Sequence, residues 1–109
     1  MKFKIAFRRG KKLKFFSKLY HGIINIEPGV ISIIYNRQVL LIHDFNSVSI
    51  VRGLDGKYIL LEGNNENLYL FPYTISIFIF YFTNKKHYNF FYSFLDAYLE
   101  NKKVNKIVT

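Results

Sequence analysis

HGIINIEPGVISIIYNRQVLLIHDF, residues His21 to Phe45, is the stretch whose reading decides the fold. Glu27-Pro28-Gly29-Val30 puts proline where φ is held at about −65° and glycine where φ must be positive, the signature of a type II turn. That turn joins an expected strand from Gly22 to Ile26 to a second from Val30 to Tyr35. Asn36-Arg37 makes a tight connection into a third, Gln38 to Ile42. Three β-rich runs separated by turn chemistry describe an antiparallel sheet with short connections.

The same grammar extends in both directions. Val48 to Arg52 and Lys57 to Glu62 flank Leu54-Asp55-Gly56, whose Asp-Gly pair is a strong hairpin signal. Gly63-Asn64-Asn65-Glu66 is another turn, and strands Leu68 to Phe71 and Thr74 to Phe82 are expected after it. Toward the amino end, Phe3, Ile5 and Phe7 alternate with Lys2, Lys4, Ala6 and Arg8, a period of two that means a strand. After Arg9-Gly10-Lys11 the odd positions stay apolar at Leu13, Phe15 and Leu19, with Phe16 the exception. The amino end therefore reads as a hairpin turned at Gly10. Its even positions, Lys2, Lys4, Arg8, Lys12, Lys14 and Lys18, form one cationic face, with Arg9 and Lys11 at the tip.

From Lys85 the period changes. Tyr88, Phe91, Tyr92, Leu95, Tyr98 and Leu99 recur at helical spacing, and Phe90 and Phe94 widen the apolar stripe, so the helix is expected to be wedged against the strands over much of its circumference. Thr83 or Asn84 suits its start, and Asn101 with Lys102 and Lys103 suits its end. The fold class is mainly β: an antiparallel barrel or sandwich of about seven to eight strands, closed by one C-terminal amphipathic helix. With 109 residues the chain makes one domain, residues 1 to 101 with the helix at about 84 to 101, and residues 102 to 109 form a flexible basic tail.

This succession resembles the pleckstrin-homology-like (PH-like) domains of the small bacterial kind. The resemblance covers about residues 20 to 101. It rests on the strand-then-helix order, on GIINIEPGVISIIYN followed by VLLIHDFNSVSIV with Ile42, Phe45, Val48 and Ile50 in an IxxFxxVxI pattern, and on IFIFYF leading into an aromatic-rich helix. It implies a non-enzymatic binding or adaptor module. The helix lacks the tryptophan typical of the eukaryotic members, and the basic hairpin precedes the segment that aligns best, so no phosphoinositide site is carried over.

Composition bounds the function further. The chain has 12 Phe and 9 Tyr but only two alanines, a bias toward AT-rich codons that makes raw lysine or aromatic counts weak signals. Eight of the 16 basic residues lie between Lys2 and Lys18, and no acid occurs before Glu27, so the net charge of +9 is a local feature. The anion- or partner-binding candidates are accordingly Lys4, Arg8, Arg9, Lys11, Lys12, Lys14 and Lys18. Against them stands a simpler reading in which lysines only solvate an amphipathic hairpin and protect its edge. Phe16 and Tyr20 lie on the same parity as the cations and are candidates for stacking on bases.

Without cysteine, disulfides and thiolate chemistry are excluded. His43 and Asp44 are neighbours on a strand end and point to opposite faces, while His21, His43 and His87 are scattered, so neither a catalytic dyad nor a zinc site is expected. No cofactor and no small-molecule substrate are evident. Asn67 to Asn84 carries no charge, but Pro72 divides it and its apolar part is shorter than the about 20 residues a membrane helix needs, so a buried strand is expected there. Arg8 and Arg9 interrupt the amino-terminal apolar run, so no export signal is read and a cytoplasmic location is expected, peripheral to a membrane or free. The expected partner is another protein or a second copy. An anionic membrane surface and nucleic acid are the alternatives.

Overall fold

The computed structural model describes residues 1–12, 18–27, 30–42, 45–53, 56–64, 66–77 and 80–108. Among them the chain runs β1 (Lys2–Gly10), β2 (Tyr20–Glu27), β3 (Val30–Tyr35), β4 (Gln38–Ile42), β5 (Phe45–Gly53), β6 (Gly56–Gly63), β7 (Asn67–Pro72), β8 (Ile75–Ile77), β9 (Phe80–Phe82) and α1 (Lys85–Val108). The first seven strands form one antiparallel sheet in the order β4-β3-β2-β1-β7-β6-β5, and β8 pairs only with β9. The bounds expected for β3 and β4 are those observed. The Pro28-Gly29 turn, His43 and Asp44, and Leu54-Asp55 lie outside the described residues.

β4 and β5 end at opposite edges of the sheet, yet Ile42 and Phe45 are separated by three peptide links, so their Cα atoms lie within about 11 Å. Seven flat strands at their usual spacing would hold the edges about 29 Å apart. The sheet therefore curls strongly, although β4 and β5 are not paired with each other among the described residues. Inside the curl lies the main core. Phe3, Ile24, Ile33 and Leu40 form one cross-strand row, and Phe7, Leu70 and Ile59 belong to another. Such rows of β-branched and aromatic side chains, all facing one way, fix the register, because a one-residue slip would turn each of them to water.

α1 supplies the rest of the core. Phe91, Leu95 and Leu99 are buried at spacings of four, against Phe3, whose ring meets that of Phe91 edge-on at 4.7 Å. Asn84 caps the helix through its side-chain oxygen, which accepts the His87 backbone N–H at 2.7 Å. Two expectations are corrected. Phe90 remains 51% exposed, so the buried stripe is narrower than the apolar residues suggested. The helix also continues through Asn101, Lys102 and Lys103 to Val108, taking in most of the stretch expected as a tail.

The amino end is corrected more deeply. β1 pairs with Tyr20–Glu27 (Phe7 with Tyr20, Lys4 with Ile23, Lys2 with Asn25), and no tight turn forms at Gly10. Gly10, at φ 144°, instead ends β1 while paired with Asn67 of β7. The physical reason is electrostatic. A tight turn centred on Gly10 would set Arg8 opposite Lys12 and Lys2 opposite Lys18, and like charges directly across a ladder are destabilising. In the observed register the lysines face Ile23 and Asn25 instead. Leu13 to Ser17 lie outside the described residues.

Thr74 to Phe82 is likewise not one buried strand. Ile75 pairs with Phe82 and Ile77 with Phe80, giving a short ribbon whose Ile75 and Phe82 are more than half exposed. No helix of the described residues is long and apolar enough to cross a membrane.

Burial of the tyrosines on α1 couples stability to alkaline pH. Desolvation raises the Tyr88 pKa from 10.0 to about 12, and moves Tyr98 upward for the same reason. A folded pKa above the unfolded one means that the stabilisation is complete below pH 10 and disappears as pH climbs from about 10 to about 12. Urea midpoints at pH 9 and pH 11.5 are expected to fall toward the alkaline side, and Tyr88→Phe to remove part of that fall. An equal fall in the variant would show that Tyr88 does not carry the effect.

Candidate functional site

β1 extends three residues beyond its pairing with β2, so among the described residues the backbone of Arg8, Arg9 and Gly10 pairs with β7 and not with β2. This end of the sheet also receives the start of β2, the β3–β4 turn and the start of β7. Tyr20 stacks on Phe7 at 5.3 Å and meets Tyr35 edge-on at 5.3 Å, which joins β1, β2 and β3 there. Tyr20 therefore lies on the inner face, in correction of the parity that set it among the cations, and is occupied by protein contacts rather than presented for base stacking. Phe16 lies outside the described residues.

The two arginines also leave the expected cationic surface. Arg8 is buried on the outer face, 8% exposed, with its Nε donating to the Tyr58 hydroxyl at 3.2 Å. Around it Tyr58, Leu60 and Tyr69 form a second, smaller apolar cluster over β5, β6 and β7. Sequence alternation assigns Arg8 to a polar face; in fact Tyr58, Leu60 and Tyr69 make that face apolar beside it.

Arg9 points the other way. Its Nε and Nη2 donate to the two carboxylate oxygens of Glu66 at 3.1 and 2.7 Å, and Nη1 donates to the Tyr35 hydroxyl at 2.9 Å. Bidentate geometry of this kind is the strong form of the ion pair. The carboxylate raises the Arg9 pKa further, the hydrogen bond to Glu66 being the largest cause. Because both side chains remain about one-third exposed, the pair serves mainly as a clasp between β1, β3 and the β6–β7 turn. Its charge is spent internally.

The exposed cations are what remain. Lys11 and Lys12 follow β1 directly, and the backbone carbonyl of Lys11 accepts from Asn67 Nδ2 at 3.2 Å and from the Tyr69 hydroxyl at 3.4 Å, which fixes where the connection leaves the sheet. Lys18 is exposed, with its ammonium 5.1 Å from the Tyr20 ring centre. Arg37 joins them from the β3–β4 turn at the same end, where Asn36 and Arg37 have φ of 47° and 61°, the two positive values a type I′ turn requires. Sequence reasoning missed Arg37, since only the β2–β3 pairing brings that turn beside Lys18. Lys4, with Lys2, is exposed on the outer face away from this end, and Lys14 lies outside the described residues.

Among the histidines, His21 is exposed on β2 opposite Ala6, and His87 packs its ring 5.7 Å from Phe3. Comparison of this chain with protein-family models, with curated proteins and with solved structures finds no match.

Proposed function

We propose that the chain is a non-enzymatic binding module of PH-like type, its curled sheet acting as a barrel plugged by α1, and that it takes an anionic surface at the end formed by the β1–β2 connection and the β3–β4 turn. The observation that carries this reading is a division of labour among the cations. Arg9 is neutralised by Glu66 and braces the end, while Lys11, Lys12, Lys18 and Arg37 project from it into water. A seven-stranded antiparallel sheet with a C-terminal helix after the short β8–β9 ribbon supports the PH-like reading, and the short link between the two sheet edges supports a barrel.

Each basic residue near an anionic bilayer contributes about 1 kcal/mol, so three lysines amount to roughly a 100-fold change in affinity. The test is binding to phosphatidylserine vesicles, single-stranded DNA and duplex DNA across a salt series, with the wild type and a Lys11→Glu, Lys12→Glu, Lys18→Glu variant. Vesicle binding that weakens with salt and falls about 100-fold or more in the variant is expected. Absence of binding to all three at low salt removes the electrostatic reading and leaves protein partnership. Binding to nucleic acid alone, with a steep salt slope, replaces the membrane surface by phosphodiester backbone.

A further inference from the structure

The two edges of the sheet are treated differently. β5 has α1 packed beside it, a register irregularity between Phe45 and Ser47, and Arg52 near its end. These are the devices by which natural sheets blunt an edge. β4 has none of them. Gln38–Ile42 contains no charge and no proline, its ladder with β3 runs without a break from Ile42 to Gln38, and no strand among the described residues pairs with its far side.

Its outward side chains are apolar as well. Val39 is 63% exposed and Leu41 54%, and the row continues inward through Ile34 and Ile23, at 47% and 42%. We propose that β4 pairs antiparallel with β4 of a second copy of this chain, joining two sheets edge to edge about a two-fold axis through Leu40. The proposal is independent of the anionic surface, which lies at the end of the strands and not along their edge.

The register follows from the turn. Tyr35 and Gln38 flank a two-residue turn and so exchange both ladder hydrogen bonds; alternation then directs the N–H groups of Gln38, Leu40 and Ile42 toward β3 and those of Val39 and Leu41 toward the open edge. A two-fold axis at Leu40 sets Val39 opposite Leu41 of the second copy and Leu41 opposite its Val39. The four outward donors and acceptors are thereby satisfied, and apolar side chains adjoin apolar ones. An isologous contact of this kind closes on itself and stops at two chains.

Charge selects this arrangement over packing of the two outer faces. The exposed Lys4 stands on β1, in the same row as Val39, Ile34 and Ile23. Face-to-face packing would bring the Lys2 and Lys4 rows of two strongly basic chains under one interface. Edge pairing keeps the two Lys4 residues seven strand spacings apart in the joined sheet, each exposed on the outer face where salt screens it. The excess positive charge then opposes association only weakly.

The test is sedimentation of the full chain from about 10 μM to about 1 mM, together with amide hydrogen exchange at both limits. A shift from one to two chains with rising concentration is expected, with exchange slowing at the Val39 and Leu41 amides and unchanged at Leu40. Val39→Pro deletes one outward N–H without touching the β3 ladder and is expected to abolish the shift; Ile23→Lys, two strands in from the edge, is expected to leave it intact. Circular dichroism confirms that each variant is folded, and the exchange comparison needs no variant. A single chain at every concentration overturns the proposal. So does a dimer that Ile23→Lys destroys and Val39→Pro spares, since that is face-to-face packing.

Discussion

Phe91→Ala is expected to lower the free energy of unfolding by about 3–5 kcal/mol, out of the roughly 5–15 kcal/mol available to a domain of this size. Phe91 is fully buried, its ring set edge-on against Phe3, and it begins the row Phe91, Leu95, Leu99 through which α1 enters the curl. Removing the ring withdraws apolar area and opens a cavity that the surrounding strands cannot collapse into, because their spacing is fixed by ladder hydrogen bonds. The melting temperature should fall by about 15–25 °C. Phe90→Ala, one residue earlier and half exposed, should cost less than about 1 kcal/mol. Thermal melts of the two variants side by side decide the matter: equal losses would mean that the helix is docked on a different face.

That contrast marks the boundary of what could be read from the chain. The spacing of Tyr88, Phe91, Leu95 and Leu99 locates the helix, and Asn84 locates its start, because both signals are local. Which of the adjacent phenylalanines faces inward depends on Phe3, nearly ninety residues away. The middle strands were legible for the same local reason, since β3 and β4 stand beside turns with strong backbone preferences. Thr74 to Phe82 was not: no Gly, Pro, Asn or Asp separates Ile77 from Phe80, yet the chain reverses there to pair Ile75 with Phe82.

The candidate site was legible as a concentration of charge and illegible as a set of partners. Alternation along β1 distributes its side chains between two faces correctly, and then fails at the question of what each face meets. Arg8 finds Tyr58 and Arg9 finds Tyr35 and Glu66 at sequence separations of 50, 26 and 57. Nothing near Arg9 in the sequence announces a carboxylate, and an arginine counted as available for an external anion is instead the clasp of the sheet's end. Lys11, Lys12 and Lys18 stay exposed beside the β1–β2 connection, while Lys2 and Lys4 stay exposed within the ladder, opposite Asn25 and Ile23 on the outer face.

Gly22→Ala is expected to cost about 1–2 kcal/mol, although the strand backbone at Gly22 does not call for glycine through a positive φ. The reason is approach. A Cβ built there meets the Ile34 carbonyl oxygen at 2.5 Å and Tyr35 Cβ at 3.0 Å, and the nearest of these is backbone, which cannot swing aside. β2 and β3 would have to separate locally, at the cost of about 1–3 kcal/mol typical of overpacking or somewhat more, against a gain of about 0.4–1 kcal/mol from the stiffer unfolded chain. The strain falls where Tyr35 crosses β2 to reach Tyr20, Phe7 and the Arg9 guanidinium. The two effects should therefore be coupled. Tyr35→Phe, which deletes the hydroxyl that accepts from Arg9, should cost about 1 kcal/mol in the wild type and distinctly less once Gly22→Ala has displaced the ring. A double-mutant cycle by urea denaturation measures the difference. Strict additivity would mean that the glycine does not position Tyr35, and a neutral Gly22→Ala would mean that β2 and β3 do not approach as closely as their register places them.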